Sequence, residues 1–317
     1  MPELKRLAIL DDYQDVTLKM GPWDRLPGIE KATFRDTIAD HDALVARLLP
    51  FDTILAMRER TPFPRALIER LPNLKLLITT GERNRGIDAQ ACAERGITFS
   101  GTSSFGSPTV DLTWGLILSL ARRIPEQVSA LHAMKWQTAL GMGLEGRTLG
   151  VVGLGKLGTK VAKVGQALGM KIIAWSTNLT EEAAAEVGAK RVDKATLFAE
   201  ADVVTLHLIL SDRSRGIVGA EDIARMKPGA LLVNTSRGPL IDQPALVAAL
   251  QAGRISAGID VYDIEPLPAG HPLLGVPNTV LTPHLGYVTE ENYRAYFAGA
   301  VEAIEAFQAG TPIRVIL

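Results

Sequence analysis

Short apolar runs alternate along the chain with stretches whose apolar positions recur at helical spacing. Runs of this length, bounded by glycine, proline and small polar residues, predict buried strands. They fall into two series. The first places strands at 7–10, 31–34, 53–57, 76–79 and 98–100. The second places them at 148–153, 171–176, 203–207, 231–234, 256–260 and 280–282. Regular strand–helix alternation implies βαβ units and parallel sheets covered by helices. Between the series the pattern predicts a helix from about Pro108 to Arg122, then a polar, aromatic-bearing segment to Gly146. A last helix is expected from about Thr289 to Ala309.

Composition narrows this picture. A chain of 317 residues exceeds most single cores, so two domains are expected, and 47% apolar residues suffice for two. A formal net charge of −1 argues against a general nucleic-acid surface, which needs clustered positive charge. The single cysteine, Cys92, allows no internal disulfide and fits a reducing compartment as a small buried helix residue. The N-terminal apolar core, Leu7 to Leu10, is too short for a signal peptide and reads as a first strand ending at Asp11. The longest apolar stretch, 112–121, is short for a membrane span and carries Thr113 and Ser119. A soluble cytoplasmic protein is expected, with no membrane or nucleic-acid partner and no metal site.

Three strand ends carry candidate chemistry. Arg237 lies just past the apolar run 230–233, in Asn234-Thr235-Ser236-Arg237-Gly238. Ligands of open α/β sheets gather at such strand ends, and a guanidinium fork suits a carboxylate in two-point contact. Glu265 follows in Asp260-Val261-Tyr262-Asp263-Ile264-Glu265-Pro266, and His284 in Thr282-Pro283-His284-Leu285-Gly286. Taken singly, the histidine reads as a surface turn and the glutamate as a loop charge. All three at strand ends of one parallel sheet is a different matter. An arginine suited to a carboxylate stands with a histidine, and histidine is a natural proton donor near neutral pH. A carboxylate beside it favours the charged form.

Upstream, Leu149-Gly150-Val151-Val152-Gly153-Leu154-Gly155-Lys156-Leu157-Gly158 reads as a strand, a G-x-G-x-x-G turn and a helix start. Gly153 permits the turn, Gly155 lets backbone approach a pyrophosphate, and Gly158 allows close helix–strand packing. The helix start then offers N–H groups to phosphates. The next strand should end in Asp or Glu for NAD; here Ser176, Thr177 and Asn178 stand instead. Losing that carboxylate removes a charge that repels a 2′-phosphate, and tilts the reading toward NADP(H). No arginine follows directly, and Ser176 could merely cap a turn beside bound NAD.

In this order, the glycine turn, Arg237, Glu265 and His284 resemble the D-isomer-specific 2-hydroxyacid dehydrogenases over nearly the whole chain. The resemblance implies an NAD(P)-dependent oxidoreductase acting on a small 2-keto or 2-hydroxy acid of D configuration. His284 would be the acid/base, Glu265 its partner, and Arg237 the anchor that also polarises the carbonyl. It implies two doubly wound parallel-sheet domains, a Rossmann cofactor domain (101–288) inserted into a flavodoxin-like substrate domain (1–100 plus 289–317). The cofactor surface would draw on Gly153, Gly155, Lys156, Leu157, Gly158, Ser176, Thr177, Asn178, His207, Leu208, Thr235, Ser236, Asp260 and Gly286. By the resemblance His207 lies near the adenosine ribose and Asp260 contacts the nicotinamide carboxamide, although strand termination and turn capping are the plainer roles. Ile209 stands where the family usually has proline, and Tyr287 where it has a small residue; a phenol there could narrow the pocket or bond substrate.

Two loops of the first domain are expected to face the substrate: one with Arg58 and Arg60, one with Thr80, Gly81, Glu82, Arg83 and Arg85. The second corresponds to the family's substrate loop, which is usually nearly uncharged. Its arginines are either solvated or select a phosphorylated or dicarboxylic acid. In the family, the segment from Arg123 to Gly146 extends as an arm around a second subunit, with a tryptophan such as Trp136 reaching the partner; otherwise it packs on its own chain. A homodimer is expected. The chain as given ends at Leu317, and no regulatory tail of the kind some phosphoglycerate dehydrogenases carry is expected. Two alternatives stand beside this one: oxidation of a simpler anion such as formate or phosphite on the same fold, and dinucleotide sensing like that of the C-terminal-binding corepressors, which keep the Arg, Glu and His.

Overall fold

A computed structural model of the chain describes residues 3–317. It divides into two compact units, one of residues up to 106 together with 288–317, the other of residues 107–287. Both are doubly wound α/β structures.

The first unit is built on five strands: β1 (Arg6–Ile9), β2 (Glu30–Thr33), β3 (Thr53–Ala56), β4 (Leu76–Thr79) and β5 (Thr98–Gly101). All neighbouring pairs are parallel, in the flavodoxin-like order β2-β1-β3-β4-β5. β3 and β4 are buried along their whole length, as expected where helices cover both faces. The core gathers Ile54, Leu77, Phe63, Phe99 and Leu48. Cys92 is buried on the helix Ala89–Glu94, and burial pushes its thiol up to about 11. The helix Glu290–Gln308 completes this unit, burying Tyr293, Tyr296, Phe297 and Ile304 on one stripe.

The second unit carries seven parallel strands: β6 (Thr148–Val152), β7 (Lys171–Trp175), β8 (Lys190–Arg191), β9 (Val203–Leu206), β10 (Leu231–Asn234), β11 (Ser256–Ile259) and β12 (Thr279–Leu281). Their order is β12-β11-β10-β9-β6-β7-β8, the Rossmann arrangement with its switch point between β6 and β9. The apolar helix Pro108–Ala121 buries Val110, Trp114, Leu116 and Ile117 in the core that includes Leu149, Val151, Leu231 and Val233. Each such fully buried leucine or valine contributes roughly 1.5–3 kcal/mol over leaving it in water.

Strand ends differ from the sequence expectation by one residue at most positions, because the hydrogen-bonded ladder and the apolar run need not stop at the same residue. Two differences are larger. β8 was not expected: it is two exposed residues, without an apolar run. The segment expected only to be polar from Arg123 contains a helix, Ile124–His132, with no buried residue. Among the described residues no helix is long and apolar enough to cross a membrane, and no cluster of His, Cys, Asp or Glu could hold a metal.

Candidate functional site

The C-terminal ends of β10, β11 and β12 lie side by side and deliver Arg237, Glu265 and His284 to one edge of the Rossmann sheet. Past β10 the chain turns on Asn234, whose amide donates to the Arg237 carbonyl at 2.8 Å and accepts from the Ser236 N–H at 3.0 Å. Ser236 donates to the Leu206 carbonyl at 2.8 Å, tying this turn to the end of β9. The Arg237 guanidinium donates to the Ser236 carbonyl at 2.7 Å. Gly238 is required by a neighbour: a Cβ there would stand 2.3 Å from the Tyr262 carbonyl carbon, in the loop that carries Glu265.

Glu265 is fixed from both oxygens. Oε1 accepts the Tyr262 N–H at 2.9 Å, and Oε2 lies 2.5 Å from His284 Nδ1. The remaining ring nitrogen, Nε2, has no hydrogen-bond partner among the described residues. The pair is shielded without being sealed, at 19% and 22% side-chain exposure for His284 and Glu265, so a small reactant can still reach the ring. His284 itself sits at φ +52, a conformation uncommon for residues other than glycine, and its N–H donates to the Asp260 and Thr282 carbonyls.

Asp260 holds that conformation. It is fully buried, and its carboxylate accepts from Thr282 Oγ1 at 2.6 Å, the Leu285 N–H at 2.7 Å and the Gly286 N–H at 3.0 Å. Burial raises its pKa from the ordinary carboxylate value, opposed by these hydrogen bonds and the nearby His284. The three hydrogen bonds to the Asp260 carboxylate all come from the histidine loop, while its N–H donates to the Asn234 carbonyl at 3.0 Å. Tyr287 is buried too, its ring edge-on to His284 with centroids 5.6 Å apart. The Tyr287 ring thus packs directly against the imidazole.

Two threonines of the helix Pro108–Ala121 join this edge, and sequence reasoning missed their role. Thr113 Oγ1 lies 2.8 Å from Thr235 Oγ1, and Thr109 Oγ1 donates to the Gly286 carbonyl at 2.9 Å. Thr113 had registered only as a polar interruption in an apolar stretch.

The glycine turn fits a dinucleotide. Gly153 has φ +99, and a Cβ there would sit 2.9 Å from the His207 carbonyl and 3.0 Å from Leu208. A Cβ on Gly158 would stand 2.0 Å from the Gly153 carbonyl oxygen, so the helix can meet the turn only as glycine. Gly155, by contrast, faces open space and caps the helix Lys156–Ala167 without a side-chain bond, leaving its first N–H groups for an incoming anion. Lys156 is exposed and Leu157 half-buried at that start. At the switch point His207 places Nε2 3.0 Å from Thr205 Oγ1, while its buried Nδ1 has no partner. Desolvation lowers its pKa to about 4, so the ring is neutral at physiological pH. An orphaned buried nitrogen beside the glycine turn is a natural contact for a ribose or phosphate group.

After β7, Ser176 is half-buried while Thr177 and Asn178 are exposed in a turn closed by the Leu179 N–H on the Ser176 carbonyl. Arg191 of β8 donates from Nε to the Leu179 carbonyl at 2.7 Å.

In the first unit, the sequence-predicted substrate residues gather at the ends of β3 and β4. Arg58, at φ +52, donates its N–H to the Thr80 hydroxyl at 2.9 Å and its guanidinium to the Thr80 carbonyl at 3.2 Å. Arg60 stacks over Tyr13, 4.7 Å from the ring centre. Gly81, at φ +90, donates its N–H to Thr102 Oγ1 at 2.8 Å. Asn84 is the buried pin of the loop, bonding the Arg58 carbonyl and Thr79; Glu82, Arg83 and Arg85 surround it nearer the surface. Tyr13, Asp11, Tyr293 and Tyr296 join this edge and were not foreseen. Asp11 is buried with its carboxylate held by Thr37 and Thr61, and desolvation raises its pKa.

Residues 114–286, more than half of the chain, match the model of the NAD binding domain of D-isomer specific 2-hydroxyacid dehydrogenases. The chain belongs to this family. A hydroxypyruvate reductase of Blautia hydrogenotrophica is 30% identical to this family member, covering 98% of the chain and 99% of the relative. A D-3-phosphoglycerate dehydrogenase of Methanocaldococcus jannaschii is 37% identical over 92% of the chain, which spans 54% of that protein's length. The crystal structure of a phosphoglycerate oxidoreductase from Vibrio cholerae aligns over 97% of this chain and all of its own, at 41% identity and a TM-score of 0.92. Family membership carries with it a nicotinamide dinucleotide cofactor and NAD-linked oxidoreduction of a 2-hydroxy acid.

Proposed function

We propose that this dehydrogenase reduces a small 2-keto acid to its D-2-hydroxy acid with NADPH at least as readily as with NADH. The observation that carries the reading is the His284–Glu265 pair, with Nδ1 held at 2.5 Å and Nε2 left to a reactant. Glu265 orients the ring and supports its protonated form. His284 then gives its Nε2 proton to the carbonyl oxygen, and takes it back in the oxidative direction. Arg237 pairs with the substrate carboxylate and offsets charge growing on the carbonyl oxygen. The nicotinamide, when bound, supplies or accepts the hydride at carbon. Gly153, Gly155, Lys156, Leu157 and Gly158 hold its pyrophosphate; His207, Leu208, Thr235, Ser236 and Gly286 line the rest, and Asp260 acts by holding the histidine loop.

NADPH use is supported by Ser176, Thr177 and Asn178, which put hydroxyls and an amide where a carboxylate would repel a 2′-phosphate. The first unit serves as the substrate domain, with Thr80 and Gly81 binding the acid and Arg58, Arg60 and Arg83 choosing among acids by their charge. A homodimer is supported by Ile124, Val128, Leu131, Met134, Trp136 and Leu140, all exposed within the single chain. Trp136, at 78% exposure, has no packing of its own to explain it.

The test is turnover with glyoxylate, hydroxypyruvate, phosphohydroxypyruvate and a dicarboxylic keto acid, each with both cofactors. D-2-hydroxy acid product is expected from at least one. Cofactor binding without turnover of any would overturn the reading in favour of a sensor.

A further inference from the structure

An arginine is absent from the residues following β7, yet the fold supplies one from the next strand. β8 pairs with β7 so that Arg191 lies beside Ala174, one residue before Trp175. From there its side chain reaches the turn after β7, where Nε donates to the Leu179 carbonyl at 2.7 Å. Leu179 is the last residue of the turn 176–179, closed on the Ser176 carbonyl at 3.2 Å. A single hydrogen bond therefore docks a guanidinium on the turn whose remaining side chains are two hydroxyls and an amide. Lys190, its neighbour on the strand, projects to the opposite face.

Beyond that bond the guanidinium faces the carboxylates of Glu181 and Glu182. Its Nη1 lies 3.9 Å from Glu181, beyond hydrogen-bond distance, with Arg191 41% and Glu181 81% exposed. An ion pair that loose and solvated holds little energy, and a phosphate dianion would outcompete it. Glu181 and Glu182 begin the following helix, so without Arg191 this corner would carry acidic charge and repel a 2′-phosphate.

We propose that Arg191 is the specificity residue for the 2′-phosphate of NADPH, acting with the side chains of Ser176, Thr177 and Asn178. Nε stays on the Leu179 carbonyl and keeps the fork aimed, while the terminal nitrogens leave Glu181 for the phosphate. The proposal rests on the NADPH reading above.

The experiment is equilibrium titration of the whole protein with NADPH and NADH, followed by nicotinamide fluorescence, for the parent, Arg191→Gln, Arg191→Lys and Lys190→Gln. The parent is expected to bind NADPH more tightly. Arg191→Gln should raise the NADPH Kd by roughly ten- to a hundredfold while moving the NADH Kd less than about threefold. Arg191→Lys should recover part of the loss, and Lys190→Gln should change neither. A parent that prefers NADH overturns the cofactor reading and this assignment together, and a parent that binds both cofactors alike overturns this assignment alone. A parent that prefers NADPH and keeps its preference in Arg191→Gln overturns this assignment alone. Equal weakening of both cofactors in Arg191→Gln also overturns it, leaving Arg191 as a brace for the turn.

Discussion

The two sheets end in edges of like architecture and unlike construction. At the Rossmann edge each functional side chain is positioned by a second residue from a neighbouring strand end. Tyr262 N–H and His284 share Glu265, Asp260 fastens the loop of His284, and Ser236 ties the turn of Arg237 to β9. At the edge of the first sheet the cationic groups are long side chains, Arg58 reaching the Thr80 carbonyl and Glu59, and Arg60 lying over the face of Tyr13. Fixed geometry suits proton transfer, where small displacements are costly. Adaptable cations suit recognition of acids that differ in their distal groups. In the function proposed above, chemistry belongs to the Rossmann edge and choice of substrate to the other, and mutation can separate them.

The largest effect is expected at His284. With His284→Gln, kcat for keto-acid reduction should fall at least ~100-fold, the usual loss with a general acid. Cofactor affinity by nicotinamide fluorescence should stay nearly constant. Turnover close to the parent's would remove His284 from the reaction and dissolve the contrast. Next is Arg237→Lys, which keeps the charge and loses the fork. Trading two charge-assisted bonds for one costs about 3 kcal/mol, on the order of 100-fold in kcat/KM. Parental kinetics in that variant would move the carboxylate anchor to the first unit, with Arg60 the residue to examine.

The edges also differ in how acid affects them, which gives a stability test. His207, half-buried with its Nδ1 shut away from water, has its pKa pushed down to about 4 from an ordinary 6.5 by desolvation. A depressed histidine is fully accommodated above pH 6.5. Below that, the unfolded chain gains a proton that the fold refuses, so stability falls toward about pH 4. At about pH 5 the loss is about 2 kcal/mol. Asp11 has the opposite sign: burial raises its pKa, so its contribution is lost as pH rises and regained on acidification. Asp260 in the second unit shares the sign of Asp11, so the wild-type profile alone mixes both effects. The informative measurement is urea unfolding of parent and His207→Asn at about pH 7 and about pH 5. The variant should lose roughly 2 kcal/mol less on acidification, and identical losses would show that His207 is not held neutral.

The same contrast explains what the amino-acid sequence could reveal by itself. The Rossmann edge was legible because its parts follow strands rich in buried apolar residues, such as Leu231–Asn234, and because a strand end confers position. Glycine requirements are local as well: the Gly158 approach of 2.0 Å is to Gly153, a near neighbour in the chain. β8 left no trace, since two exposed residues at a sheet margin bury nothing and need no pattern. Arg191 was lost with it. At the edge of the first unit Tyr13, Tyr293 and Tyr296 come from distant segments whose meeting depends on how the helix Glu290–Gln308 packs, and no spacing encodes that. Asp260 had two readings in sequence, and its three accepted hydrogen bonds all belong to the histidine loop.

The smallest effect is expected at Arg60, and it bears most directly on the comparison. Its guanidinium lies over the Tyr13 ring, an arrangement worth roughly 0.5–1 kcal/mol where water has access. An adaptable cation of this kind steadies a bound anion without entering the reaction. Arg60→Gln should therefore raise KM by no more than about fivefold, the equivalent of roughly 1 kcal/mol, with kcat within about twofold of the parent. The rise should be larger for a phosphorylated or dicarboxylic keto acid than for glyoxylate, because only the former bring a second charge for Arg60 to meet. Steady-state kinetics across those substrates would show it. A fall in kcat comparable to that of Arg237→Lys would mean that the edge of the first unit takes part in the chemistry, and the division of labour drawn between the two sheets would have to be abandoned.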